Sequence, residues 1–310
     1  MSSQPEMVVD LAGIRLNSPV LTASGTCGYA DELEGLLDMS QVGGLITKAI
    51  TLLPCEGNLP PRCVETDAGM LNSIGLANIG LDRFVHEKLP IIRKMGIPVL
   101  VNVAGSTVDQ YAKVISTLAA AGGIAGFELN VSCPNVDKGG ISFGTDQGMV
   151  SEVTAAAKAA AGGRPVFVKL TALVTDIVSI ARAAVEAGAD GLSLINTIPG
   201  MAININTRRP VLGNRTGGLS GPAIRPVAVY IVDKVYRELA RDAGIPIIGG
   251  GGIMDAADAL EFIIAGADAV AVGTGTFVDP GCAAKVARGI RDYCVRHGIR
   301  RIKELVGSLC

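Results

Sequence analysis

The chain has 310 residues, a formal net charge of −2, 49% hydrophobic residues, 40 glycines and no tryptophan. A near-neutral balance without a run of basic residues speaks against a nucleic-acid partner, which wants a basic face, and no apolar run reaches the roughly 18 residues that a membrane span needs. Seven cysteines, an odd number with no CxxC pair, argue against a disulfide framework and against metal or iron–sulfur ligation by this chain alone; most are expected to be small buried apolar groups.

The opening MSSQPEMVVDLAGIRL lacks a basic start followed by an apolar stretch, so no export signal is read there and a cytoplasmic protein is expected. Apolar runs then recur along the chain. They are Pro19–Gly25, Gly43–Thr51, Ile97–Gly105, Gly126–Asn135, Pro165–Ala172, Gly191–Thr197, Ile245–Ile253 and Ala269–Phe277. Each is apolar nearly throughout, as a parallel strand covered on both faces should be.

Helical patterns separate these runs. Asp176–Gly188 sets Ile177, Ile180, Ala181, Ala184 and Val185 on one face, opening at an acid and stopping at a glycine; Asp255–Gly266 obeys the same rule. Alternating strands and helices predict an α/β fold, a (β/α)8 TIM barrel formed as a single domain by residues 1–310. The rival, an open doubly wound sheet, lacks a GxGxxG after the first strand. Two stretches exceed plain βα loops: Thr51–Gly80, rich in Pro, Gly and Asn, and Pro199–Ala223, where INTRRPVLGN predicts a small hairpin. Inserted loops at the carboxyl ends of strands are where a barrel keeps its site.

Polar groups gather at those ends: Ser24, Lys48, Asn102, Asn130 with Cys133, Lys169, Asn196, and Gly273 with Thr274. A lone strand lysine reads as one snorkelling past the rim, but Lys48 and Lys169 on separate strands are better explained by an anionic ligand, such as a flavin whose N1–C2 edge gains charge on reduction. The glycines 249–252 and the Gly273-Thr274-Gly275 segment lie in the later parts of the seventh and eighth runs, the usual barrel phosphate position, so the ligand should carry a phosphate, as FMN does. Cys133 lies in ELNVSCPNVDKGG on a glycine-rich loop, and with only two histidines, His86 and His297, away from strand ends, a thiol is the next candidate base. Asn72, Asn130, Asn135 and Asn196 supply uncharged donors and acceptors suited to a flat, amide-rich heterocycle.

These residues carry a resemblance. LTASGT, TKAIT, the loop from EGN and PPR to GMLN and IGL, NVSCPN, VKL, INT, TGGLSGPAI and AVGTG are similar, over nearly the whole chain, to the class-1 dihydroorotate dehydrogenases, and most to the class-1B catalytic subunit. The resemblance implies an FMN-binding barrel that oxidises dihydroorotate to orotate in pyrimidine biosynthesis. A partner subunit with FAD and a 2Fe–2S cluster would pass electrons to NAD+, in a heterotetramer built on a homodimer of barrels. It implies Cys133 as the base for the C5 proton. It implies an FMN shell of Ser24, Lys48, Ala49, Asn102, Asn130, Lys169, Ile195, Gly221, Gly251, Gly252, Gly273 and Thr274. A substrate pocket of Lys48, Asn72, Ser73, Ile74, Gly75, Leu76, Asn130, Asn135, Asn196 and Thr197 is implied likewise. Two departures lie beside the flavin: Ala172–Leu173 after Thr171, where the family often has Pro-Asn, and a strand 7 reading GGGG in place of GMGG. Two alternatives stay open: a fumarate-linked class-1A-like enzyme, and a flavin-free phosphate-binding isomerase or aldolase with Lys169 as a Schiff-base lysine.

Overall fold

A computed structural model describes residues 4–29, 31–33, 35–132, 134–135 and 141–310. Eight parallel strands close on themselves: β1 (Val20–Thr22), β2 (Gly44–Ile46), β3 (Val99–Val103), β4 (Gly126–Asn130), β5 (Val166–Leu170), β6 (Gly191–Leu194), β7 (Ile247–Gly250) and β8 (Ala269–Val272). Each pairs with its neighbours in chain order, and β8 returns to β1 with Val270 opposite Val20. The open-sheet alternative is thereby removed. The strands are buried nearly without exception because their outer faces meet helices and their inner faces fill the ring.

Local sequence explains the elements. Asp176 caps the helix Ile177–Glu186 by accepting from the Val178 and Ser179 amides. Asp255 caps Ala256–Ile264, where Asp258 completes a capping box. On the first of these, Ile177, Ile180, Ala181 and Ala184 are buried, and Val185 is half-buried against the same core. Asp190 and Asp268, each just ahead of a strand, accept from the first amides of the previous strands, Val166 at 2.8 Å and Ile247 at 3.0 Å. The repeated AGAD segment thus ties each strand start to its neighbour.

Three features differ from the sequence expectation. Between β1 and β2 the described residues form 3-10 turns at Asp31–Leu33 and Met39–Gln41, not an α-helix; Gly28 and Gly35 adopt φ of +54° and +77°, which breaks a helical path. The fourth run splits, since β4 stops at Asn130 and Pro134–Asn135 pairs antiparallel with Ile141–Ser142. Ahead of β1, a hairpin of Val9–Leu11 and Ile14–Leu16 buries Leu11 and Leu16 completely.

The two long insertions meet. Cys63–Thr66 and Gly69–Asn72 from the first join Gly217–Ser220 and Ile198–Gly200 from the second in one four-stranded antiparallel sheet. Its central register places Gly218 opposite Asn72 and Ser220 opposite Met70. The expected hairpin forms slightly earlier than the INTRRPVLGN segment: Ile203–Asn204, just ahead of it, pairs with Arg209–Pro210 inside it.

Candidate active site

Strand register decides which side chains share the barrel interior. Lys169 on β5 lies beside Asn130 on β4 and Ser193 on β6, while Asn102 on β3 lies beside Glu128 on β4. In-register neighbours in a parallel sheet point to the same face, and residues two apart on one strand do so too. All five therefore project inward at the carboxyl half of the barrel.

They frame a cavity of about 630 Å³, within the range of small-molecule sites. Its wall includes every described residue expected in the cofactor shell: Ser24, Lys48, Ala49, Asn102, Asn130, Lys169, Ile195, Gly221, Gly251, Gly252, Gly273 and Thr274. It also includes Asn72, Ser73, Ile74, Gly75, Leu76, Asn196 and Thr197 from the expected substrate pocket. Cys133 lies outside the described residues, as does the side chain of Asn135.

The polar contacts are ordered. Lys169 Nζ donates to Ser24 Oγ at 2.9 Å and stands 3.4 Å from Glu128 Oε1. Lysine has three donor hydrogens, so one is left for a ligand. Asn196 Nδ2 donates to Ser132 Oγ and Asn130 Oδ1, while Asn196 Oδ1 accepts from the Thr197 amide. The buried Tyr111 hydroxyl donates to the Asn130 carbonyl at 2.7 Å, pinning the end of β4. Lys48 reaches the same cavity.

On the other side, the sheet of inserted loops carries Asn72, whose Nδ2 donates to the Gly218 carbonyl. Asn58 fastens the next turn through Ser73 Oγ at 2.9 Å. There Gly75 and Leu76 take φ of +69° and +56° in succession. A left-handed leucine is rare and costs backbone strain. The turn lines the cavity, and Leu76 packs against Ala49 and Ala104.

The glycine turns form a cradle at the third side. Gly251 and Gly252 follow β7 with φ of +137° and +84°, and a Cβ at Gly252 would come within 2.6 Å of the Gly221 carbonyl oxygen. Thr274, after β8, donates to Ser220 Oγ at 2.8 Å, joining this cradle to the inserted sheet.

Sequence reasoning missed several residues of this wall. Glu128, 1% exposed, accepts from Asn102 Nδ2 at 2.6 Å and from Ser193 Oγ at 2.8 Å besides facing Lys169. An acid inside the apolar run GFELN, two residues before Asn130 and hence on its face, was the available signal. Asn58, Ser132, Ser193 and Ser220 were missed because short polar residues in loops and strands are common. The cysteines also correct an expectation: Cys27, Cys282 and Cys294 are buried, but Cys55 is half-buried and Cys63 and Cys310 are exposed. Cys63 reaches the cavity wall because its strand sits at the edge of the inserted sheet.

A closed α/β barrel with a glycine cradle after β7 and β8, two lysines and a ring of amides defines a site for a phosphate-bearing ring cofactor next to a small polar substrate. A family model described as dihydroorotate dehydrogenase matches residues 6–293, and this chain belongs to that family. The dihydroorotate dehydrogenase B (NAD(+)) catalytic subunit of Geotalea daltonii is 50% identical over 307 residues, covering 99% of each chain. Those of Citrifermentans bemidjiense and Geobacter sulfurreducens are 50% and 49% identical over 306 residues, again covering 99% of each. Among solved structures, that of a dihydroorotate dehydrogenase from Eimeria tenella in complex with ferulenol has a TM-score of 0.82 at 23% identity, covering 98% of this chain and 88% of that one. It supports the fold.

The family implies a flavin, FMN in the catalytic subunit, and the residues present fit it. Asn102 Oδ1 is fully buried at the cavity wall without a hydrogen-bond partner, an acceptor matched to a ring N–H. Gly252 packs too close to the Gly221 oxygen to admit a Cβ, and with Gly251, Gly273 and Thr274 it lines the cavity, where glycine backbone can approach a phosphate.

Proposed function

We propose that this protein oxidises dihydroorotate to orotate in pyrimidine (UMP) biosynthesis, with electrons leaving through a partner subunit to NAD+. The observation that carries the reading is the convergence of Lys169, Asn102 and Asn130, from three different strands, and Asn196, just beyond a fourth, on one glycine-cradled cavity. Lys169 faces Glu128 as an ion pair. That contact and the Ser24 hydroxyl hold the amine at the cavity wall, where it can meet an anionic ligand, and the match to the dihydroorotate dehydrogenase family disfavours the flavin-free aldolase reading.

The roles are divided as follows. Ser24, Lys48, Ala49, Asn102, Asn130, Lys169 and Ile195 hold the ring of FMN, Ala49 through its backbone, and Gly221, Gly251, Gly252, Gly273 and Thr274 its phosphate chain. Asn72, Asn130, Asn135, Asn196 and Thr197 read the amide edges of the substrate. Backbone N–H groups of the Ser73–Leu76 turn, with Lys48, take its carboxylate. Cys133 removes the C5 proton, and the loop that carries it excludes water from the reacting atoms. FMN, when bound, accepts the C6 hydride.

The partner subunit carries FAD and a 2Fe–2S cluster, and the assembly is a heterotetramer around a homodimer of this chain in the cytoplasm. Among the described residues no helix is long and apolar enough to cross a membrane, and the whole chain forms one FMN-binding unit. Dihydroorotate oxidation measured in parallel with NAD+, fumarate and an artificial dye tests the reading. The purified chain should be yellow and active with the dye, NAD+ should serve only with the partner present, and fumarate should not serve. A colourless chain that oxidises no dihydroorotate with any acceptor would overturn it.

A further inference from the structure

At the centre of the barrel one carboxylate joins four strands. Glu128 on β4 takes Asn102 of β3 and Lys169 of β5 on one oxygen and Ser193 of β6 on the other. Lys169 in turn holds Ser24 beyond the end of β1. Glu128 has 1% of its surface exposed, so its charge is taken from water and answered by these donors alone among the described residues. A buried carboxylate in a well-packed barrel is an expensive choice for packing, since an apolar side chain would fill the same space at no desolvation cost.

Its hydrogen bonds settle two things about the cavity. An ionised carboxylate only accepts, so Asn102 must turn its NH2 toward Glu128. Its Oδ1 is left buried and unpartnered at the wall. An ammonium above Glu128 is likewise held at a fixed height, by Ser24 at 2.9 Å and Glu128 at 3.4 Å. From the cavity, a Glu128 charge 3.4 Å behind Lys169 would partly offset that of the lysine.

We propose that Glu128 is a positioning residue that aims Asn102 and Lys169 at the bound flavin and, by offsetting the lysine's charge, holds the flavin's reduction potential down. This rests on the flavin reading above. Reduction adds negative charge to the ring. An uncompensated lysine at the wall would stabilise that state and retain the electrons, whereas a compensated one lets them pass to the next carrier. The Coulomb term between buried charges a few ångströms apart is large enough to matter.

The test is the midpoint potential of the FMN-loaded Glu128→Gln enzyme, equilibrated against a reference dye, with FMN content read from the visible spectrum. The variant should keep FMN. At a fixed ambient potential its reduced-to-oxidised ratio should rise about tenfold or more, an upward shift of about 30 mV for a two-electron couple. An FMN-loaded Glu128→Gln protein with a ratio within about threefold of wild type overturns the proposal. Where Glu128→Gln gives no FMN-loaded protein, Glu128→Asp carries the test. It keeps the charge but retreats by one methylene, so its ratio should stay within about threefold of wild type while FMN binds several-fold more weakly. A larger shift, or failure of both variants to hold FMN, would make Glu128 a packing residue instead. A wild-type chain that binds no FMN would sink the flavin reading itself, a separate outcome visible before any variant is made.

Discussion

Asn196 Nδ2 donates across 3.2 Å to Asn130 Oδ1, joining the ends of β4 and β6 over a sequence separation of 66 residues. The same NH2 holds Ser132 Oγ at 2.8 Å, one residue before Cys133. Asn196 therefore fixes which way the Asn130 amide faces and where the Ser132 hydroxyl lies. Asn196→Ala should leave FMN bound and lower kcat/KM for dihydroorotate by roughly 5- to 150-fold, the equivalent of about 1–3 kcal/mol for an unpaired polar contact. Steady-state kinetics with a dye acceptor would check it. A loss of FMN with unchanged kcat/KM per bound flavin would contradict the role.

Cys133 is proposed as the base. Cys133→Ala should bind FMN and orotate as tightly as the unaltered protein yet lose about 10²- to 10⁴-fold in turnover, the usual worth of a positioned base. Cys133→Ser should retain weak activity that climbs as the pH is raised, because a hydroxyl gives up its proton far less readily than a thiol. The pH profiles of the two variants, measured side by side, separate a base from a residue that only fills space. Turnover at neutral pH equal to that of the unaltered protein, in either variant, would remove Cys133 from the mechanism.

What could be read in advance follows from burial. The eight strands are covered on both faces, so each is an apolar run long enough to see, and their polar last residues stood out against it. Lys48, Lys169, Asn102 and Asn196 were legible for that reason. Glu128 was not: its partners Asn102, Lys169 and Ser193 sit on three other strands, and which of them it meets depends on lateral register that no single run encodes. The pairing of Gly218 with Asn72 is of the same kind. Composition marked both insertions as unusual, but their joining into one sheet spans 146 residues and depends on backbone hydrogen bonds that any sequence could make.

Gly252 tests the phosphate cradle. Its φ of +84° disfavours any side chain, and an added Cβ would press against the Gly221 oxygen at 2.6 Å and Arg225 Cβ at 2.9 Å. The turn must then shift, taking backbone away from the cradle. Gly252→Ala should weaken FMN binding at least about tenfold and cost more than about 1 kcal/mol of apoprotein stability. Fluorescence titration of apoprotein with FMN, alongside thermal melts, checks both. Unchanged affinity would place the phosphate elsewhere.

Asp268 offers a prediction away from the site. Burial holds its carboxyl above the ordinary value of 3.8, against the opposing pull of the Ile247 amide and Lys303. A raised value means that the folded chain binds the proton more tightly than the unfolded one. The stability this group contributes is therefore complete below pH 3.8 and is lost as the pH climbs through the raised value. Asn keeps an oxygen that can accept from the Ile247 amide, which the carboxylate does at 3.0 Å, and carries no charge to desolvate. Asp268→Asn should melt at a higher temperature than the unaltered protein at neutral pH, with the gap narrowing as the pH falls toward 3.8. A gap that widened on acidification would mean that the charged form is the one the fold stabilises, and that the Ile247 amide and Lys303 outweigh burial at this strand start.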